Sequence, residues 1–357
     1  MNRAERRRAA REDKGRRRTQ KASVSLADAI ACHEAGRLDE AAALYRDILA
    51  GNPRNADGLH LLGLVHYQAG QLEQAISLIR DAIAQNPDIA RYHANLARVY
   101  DGAKRFEDAA EAYEKASIID PEMVEAYANR GVSLESLGRW EEAEAAYQKA
   151  LTLAPDNSDL HFNLGNALWG QGKFDGAAQA LRCSIAISPN YVDAHDNLGR
   201  ALVGLKEYDA AFDAFDKALA LQPDRADTHI SRGIALSMSG RADEAIAAFE
   251  YAISLQPDEP RVYVSLGVTL TREFRFSEAQ QCFETALRLD PDHVQAMIEL
   301  GGNLQGRNKI DNAFALYGRA YQADNGQFKA IFNKMTSLPY GRFSTSFKNI
   351  RKMLAAQ

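Results

Sequence analysis

Four asparagines, Asn95, Asn129, Asn163 and Asn197, follow one another at intervals of 34 residues. A side-chain amide carries both donors and an acceptor, so a file of them can pair with the backbone of an extended polypeptide whatever its side chains. Residue types used for bond-making chemistry are present but are not arranged for it. Among the eight histidines, His93, His161, His195 and His229 keep the same 34-residue step, yet no HExxH motif and no paired His/Cys set has zinc spacing. These four read as structural spacers. Cys32, Cys183 and Cys282 stand far apart, with no CxxC pair, which fits a reducing compartment. No GxSxG elbow, phosphate loop or dinucleotide fingerprint occurs. The expectation is a cytoplasmic, non-enzymatic protein with no cofactor and no metal.

The 34-residue step belongs to the whole chain. Ala41, Ala75, Ala109, Ala143, Ala177, Ala211, Ala245, Ala279 and Ala313 keep it, as do eight prolines from Pro53 to Pro291. Twelve residues before each of those alanines stands Ala or Gly, and four after it a large apolar or aromatic residue, as in Gly131, Ala143 and Tyr147. Nine units run from Ala22 to Gln327 without insertion. Within residues 158–191 a stretch of helical periodicity ends at Gly172, a second follows, and Pro189 stops it. Each unit is therefore expected to be an antiparallel helix pair, with small residues where the two axes cross. One such pair cannot bury its own apolar face. Stacking on neighbours supplies the core, so the array grows along one direction.

This pattern of large residue, Leu, Gly/Ala and aromatic, then Ala, aromatic, Ala and Pro at 34 residues resembles the tetratricopeptide repeat. Departures are few: Asp28 stands where Leu is usual, and Asn325 where Pro is. The resemblance implies an all-α, right-handed superhelical solenoid of about nine helix pairs, binding a protein or peptide in a concave groove. Numbering each unit from its first residue, with Ala22 as position one, it also implies that positions two, five, six, nine and twelve of the first helix line that groove. Position six is then Asn95, Asn129, Asn163 and Asn197, continued by Ser231 and Ser265. That file resembles the asparagine ladder in the repeat domains of the O-GlcNAc transferases. The same amides can instead bond a neighbouring repeat. The fifth unit adds Phe162, Asn166 and Trp169 to one helical face, a composition suited to a binding hot spot or to packing on the adjacent helix. Arg98 and Arg200 occupy position nine. Asp57, Glu125, Asp159, Asp193 and Asp227 at position two give an acidic bias favouring a basic or neutral ligand, although acids there also suit a helix N-terminus. Position five carries no Lys, which argues against the clamp that grips chaperone C-terminal carboxylates.

The composition, 46% hydrophobic and 25% charged, belongs to a folded chain, and no apolar run reaches membrane-spanning length. Charge is uneven. Residues 1–21 carry +7 and residues 328–357 carry +6, so with −5 overall the intervening residues carry −18. The basic segment 1–21 reads as a mobile tail able to touch anionic lipid or RNA phosphates. It has no aromatic residue, so specific nucleic-acid reading is not expected. Residues 328–357 read as two amphipathic capping helices, one over Phe328, Ile331, Phe332 and Met335, the other over Phe343, Phe347, Ile350 and Leu354. Two rival functions stay open. One is the recruiting module of a glycosyl-, sulfo- or methyltransferase system, since too few residues follow the array for a catalytic domain. The other is a membrane-peripheral adaptor held by the basic ends.

Overall fold

The computed structural model describes residues 25–336. Nineteen α-helices and one short 3-10 turn account for its secondary structure, with no strand among the described residues. The first helices of the pairs are α1 (Leu26–Glu34), α3 (Ala56–Gln68), α5 (Ala90–Gly102), α7 (Val124–Ser136), α9 (Ser158–Gly170), α11 (Val192–Gly204), α13 (Ala226–Met238), α15 (Pro260–Arg272) and α17 (Val294–Gly306). The second helices are α2 (Leu38–Gly51), α4 (Leu72–Gln85), α6 (Phe106–Ile119), α8 (Trp140–Leu153), α10 (Phe174–Ile187), α12 (Tyr208–Leu221), α14 (Ala242–Leu255), α16 (Phe276–Leu289) and α18 (Ile310–Ala323). A last helix, α19 (Phe328–Thr336), follows the 3-10 turn Asn325–Gln327. Among the described residues no helix is long and apolar enough to cross a membrane.

The chain divides into two compact units, Met1–Lys173 and Phe174–Gln357. Within each, a first helix packs on its own second helix, and that second helix packs on the first helix of the next pair. First helices also touch their successors, as α3 does α5 and α13 does α15. Each unit is thus a stack of antiparallel pairs, the local order of an α-solenoid.

In six of the pairs the crossing is set by a glycine facing a large side chain. A Cβ added at Gly131 would lie 2.5 Å from the Tyr147 ring, and one at Gly267 would lie 2.5 Å from Phe283. Only hydrogen fits between the helices there. The residues that fill the space beside the crossing, Tyr45, Tyr147, Phe215, Phe249, Phe283 and Tyr317, are each less than 2% exposed. Burial of this kind stabilises by about 1.5–3 kcal/mol per large side chain.

The turn between the helices of a pair needs one left-handed residue. Gly36, Gly70, Gly138, Gly172 and Gly240 supply it, but Lys104, Lys206, Phe274 and Asn308 adopt positive φ at the same place in their repeats. Arginines starting the second helices then hold an acid one turn on, as Arg241 Nη2 holds Glu244 at 2.6 Å and Arg275 Nη2 holds Glu278 at 2.6 Å.

In five repeats the loop before the first helix is fixed by the position-four side chain. Nε2 of His93, His161, His195 and His229 lies 2.8, 2.9, 2.8 and 2.8 Å from the carbonyl oxygen of Pro87, Pro155, Pro189 and Pro223. Tyr263 donates to Pro257 at 2.9 Å in the same way. These histidines tie each first helix to the residue that ended the preceding second helix.

At the C-terminal end, α19 buries Phe328, Ile331 and Met335, packs on α17 and pairs Lys334 Nζ with Glu299 at 2.5 Å. The basic segment 1–21 and the expected helix over Phe343–Leu354 lie outside the described residues.

Candidate peptide-binding faces

In the unit Met1–Lys173, Asn95, Asn129 and Asn163 occupy equivalent places on α5, α7 and α9. Asn129 is exposed, and Asn95 and Asn163 are half-buried. Asn95 has a defined partner: its Nδ2 donates to His60 Nε2 on α3 at 2.8 Å. The acceptor role requires a neutral imidazole, and burial, helped by the nearby Arg91 charge, pulls the His60 pKa down to about 4. His60 in turn stacks at 4.5 Å on Tyr92, whose hydroxyl donates to Asp57 at 2.7 Å. Asn95 is thus oriented by the neighbouring repeat. Among the described residues, no side-chain hydrogen bond is formed by Asn129 or Asn163. Phe162 and Asn166 are half-buried and Trp169 is 41% exposed, all three on α9. Arg98 is exposed, with its guanidinium 5.8 Å from the centre of the Tyr67 ring.

In the unit Phe174–Gln357, Asn197 is half-buried on α11 and accepts from Arg200 Nη1 at 3.2 Å. Ser231 is half-buried on α13. Ser265, on α15, turns back on its own helix and donates to the Arg261 carbonyl at 3.0 Å.

Part of the acidic bias expected at position two is met by arginines of the chain itself. Asp57 pairs with Arg91 at 2.7 Å, Asp193 with Arg225, and Asp227 with Arg261 at 3.1 Å. Three of the five acids therefore have an arginine partner within their own unit. The signal was in the sequence: Arg91 and Arg261 stand one 34-residue step after Asp57 and Asp227.

Position twelve of the first helices carries two half-buried acids that sequence reasoning passed over, Asp101 and Glu135. Ser133 donates to Asp101 at 2.7 Å, and burial raises the Asp101 pKa. Glu135, beside the Tyr147 hydroxyl, is pushed up to about 7, chiefly by burial. Among the described residues no group of three or more His, Cys, Asp or Glu side chains is placed to hold a metal ion.

Sequence patterns of the tetratricopeptide repeat match residues 33–99, 96–158, 128–192, 162–226, 197–260, 236–300 and 274–328. Together they cover most of the chain, which therefore belongs to the tetratricopeptide repeat family. Comparison with curated proteins found no match. Among solved structures, one similar chain is in the APC/C hetero-tetramer Cut9–Hcn1, at 21% identity and a TM-score of 0.53. The alignment covers 78% of this chain and 55% of that one, so this chain spans about half the length of that relative. Another is a tetratricopeptide repeat protein from Parabacteroides merdae, at 18% identity and a TM-score of 0.51, covering 69% of this chain and 97% of that one. At these identities the likeness establishes the fold.

Proposed function

We propose that this chain is a non-catalytic protein-interaction scaffold whose first-helix faces hold an extended segment of another protein. In the unit Met1–Lys173, Asn95, Asn129 and Asn163 pair with polypeptide backbone, Phe162 and Trp169 anchor side chains, and Asn166 and Arg98 flank them; in the unit Phe174–Gln357, Asn197 pairs with backbone and Arg200, Ser231 and Ser265 flank it. The observation that carries the reading is the state of the position-six amides on α7 and α9. Asn129 is exposed and Asn163 half-buried, and neither spends its side-chain hydrogen bonds within its unit. An amide can make up to four such bonds, so even Asn95, with one donor committed to His60, keeps capacity for a ligand. Family membership supports the same class of function, because tetratricopeptide arrays generally mediate protein–protein contacts.

The experiment is affinity capture with the intact chain and with a variant carrying Ala in place of Asn95, Asn129, Asn163 and Asn197. The expected result is loss of captured partners with the helical melting transition retained. Identical capture by both proteins would refute the amide-file reading.

A further inference from the structure

An apolar hollow of about 210 Å³ opens between the first helices α13 and α15, with Ile234 and Met238 on one side and Val264 and Val268 on the other. Phe249 of α14 closes its floor and is itself fully buried. Ile234 and Met238 are 39% and 45% exposed, although apolar side chains of this size ordinarily gain by burial. At one end of the hollow stands Arg272, the last residue of α15. Its neighbours Arg261 and Arg275 hold Glu259 and Glu278 respectively. Arg272 forms no ion pair among the described residues. Its Nη1 donates to Ser237 Oγ at 3.3 Å, the same oxygen that Thr269 reaches at 2.9 Å. An exposed apolar socket thus sits beside an unneutralised guanidinium.

The spacing between them is informative. Val268 and Arg272 lie one turn apart on the same helix face, about 6 Å along the axis. In an extended chain, side chains two residues apart point the same way and lie about 6.8 Å apart. We propose that this site takes an extended protein segment in which an aliphatic residue is followed, two residues later, by Asp or Glu. The aliphatic side chain fills the hollow and the carboxylate pairs with Arg272. This rests on the reading of the first-helix faces as polypeptide-binding and gives it a sequence preference in the second unit. The preference is for an acid, opposite to what the position-two aspartates suggest.

The probe is the acetylated, amidated heptapeptide Ser-Gly-Leu-Ser-Glu-Gly-Ser, titrated into the full chain with isotope-labelled Ile, Val and Met methyls. The expected shifts centre on Ile234, Met238, Val264 and Val268. Replacing the peptide's Glu by Gln weakens binding about threefold, the scale of one exposed ion pair, and moving Glu next to Leu does the same. Arg272→Gln abolishes the preference for Glu over Gln, and Val268→Trp, which fills the hollow, abolishes the shifts. Both substitutions are at solvent-accessible sites, and retained helicity of each variant is checked by circular dichroism. Absence of these methyl shifts, equal affinity for the Glu and Gln peptides, or a preference that survives Arg272→Gln overturns the inference. If capture still depends on the asparagines while the heptapeptide leaves those methyls unmoved, the socket is refuted and the scaffold reading stands.

Discussion

The hydroxyl of Tyr317 donates to Oε1 of Gln305 at 3.1 Å, joining the second helix of the last repeat to position twelve of its first. Three other repeats also place a second-helix tyrosine against a polar residue at position twelve. Tyr45 meets His33 at 3.4 Å, Tyr113 faces Asp101, and Tyr147 faces Glu135. Where the second-helix residue is Ile79, Phe215, Phe249 or Phe283, position twelve is Tyr67, Val203, Ser237 or Thr271, with no phenol to satisfy. A buried phenolic hydroxyl demands a polar partner, although Tyr67, Ser237 and Thr271 are polar with no second-helix tyrosine to serve. Tyr317→Phe therefore leaves a buried Gln305 oxygen with one bond fewer and lowers stability by about 1–2 kcal/mol. Gln305→Leu removes this bond and also the one its Nε2 donates to the Met335 carbonyl at 2.8 Å, and a double-mutant cycle in urea measures the coupling between the two side chains. Strict additivity would refute it.

Glu135 introduces a pH dependence of a particular sign. Its folded pKa, about 7, lies above the ordinary carboxylate value because burial opposes the ionised form. Oε1 of Glu135 and the Tyr147 hydroxyl are both buried outside good hydrogen-bond geometry, so little offsets that penalty. A raised carboxylate pKa contributes stability that is fully present below the unfolded value of about 4.5 and is lost as pH rises through about 7. Glu135→Gln is expected to raise stability at pH 8 by roughly 1–2 kcal/mol and to change little at pH 4.5. Thermal melts at both pH values decide it: an equal shift at the two would mean that titration of Glu135 is irrelevant.

His60 works in the other direction. Its folded pKa is depressed to about 4, so its contribution is complete above the unfolded value near 6.5 and is lost as pH falls toward 4. Protonation also removes the lone pair that accepts from Asn95. Between pH 6.5 and 4 the chain is expected to lose stability, and His60→Gln, which keeps an acceptor but cannot titrate, is expected to lose less of it. The comparison is of urea midpoints at pH 7 and pH 4.5. A variant with the same pH slope as the parent would exclude His60 as the source.

The periodic features were fully legible in the sequence because each arises within one repeat. The 34-residue step of Ala and Pro, the small residue at the crossing and the helix pair are local consequences of chain pattern. What joins one repeat to the next was harder to read. That Asn95 is held by His60 depends on burial lowering the imidazole pKa, which no spacing reveals. The histidines at position four were identified as structural, but their bond to a proline carbonyl six residues earlier follows from loop geometry. The hollow between α13 and α15 comes from Ile234 and Val268 occupying the same position in successive repeats, a coincidence visible in the sequence but indistinguishable there from ordinary core.

The glycine at the crossing gives the most direct test of how the pairs pack. A methyl group at Gly131 would sit 2.5 Å from Tyr147 Cε1 and 2.6 Å from Cζ. The ring cannot swing away, since Tyr147 is fully buried between helices that also pack on the next repeat. Gly131→Ala would ordinarily favour a helix by up to about 1 kcal/mol. Here overpacking costs about 1–3 kcal/mol, so the substitution is expected to destabilise despite the better propensity. Tyr147→Leu, which frees space beside the new methyl, is expected to recover part of the loss in the double variant. Urea unfolding of the two single variants and the double variant separates the terms. A Gly131→Ala protein more stable than its parent would show that the helices part at no cost and that the glycine does not set their spacing.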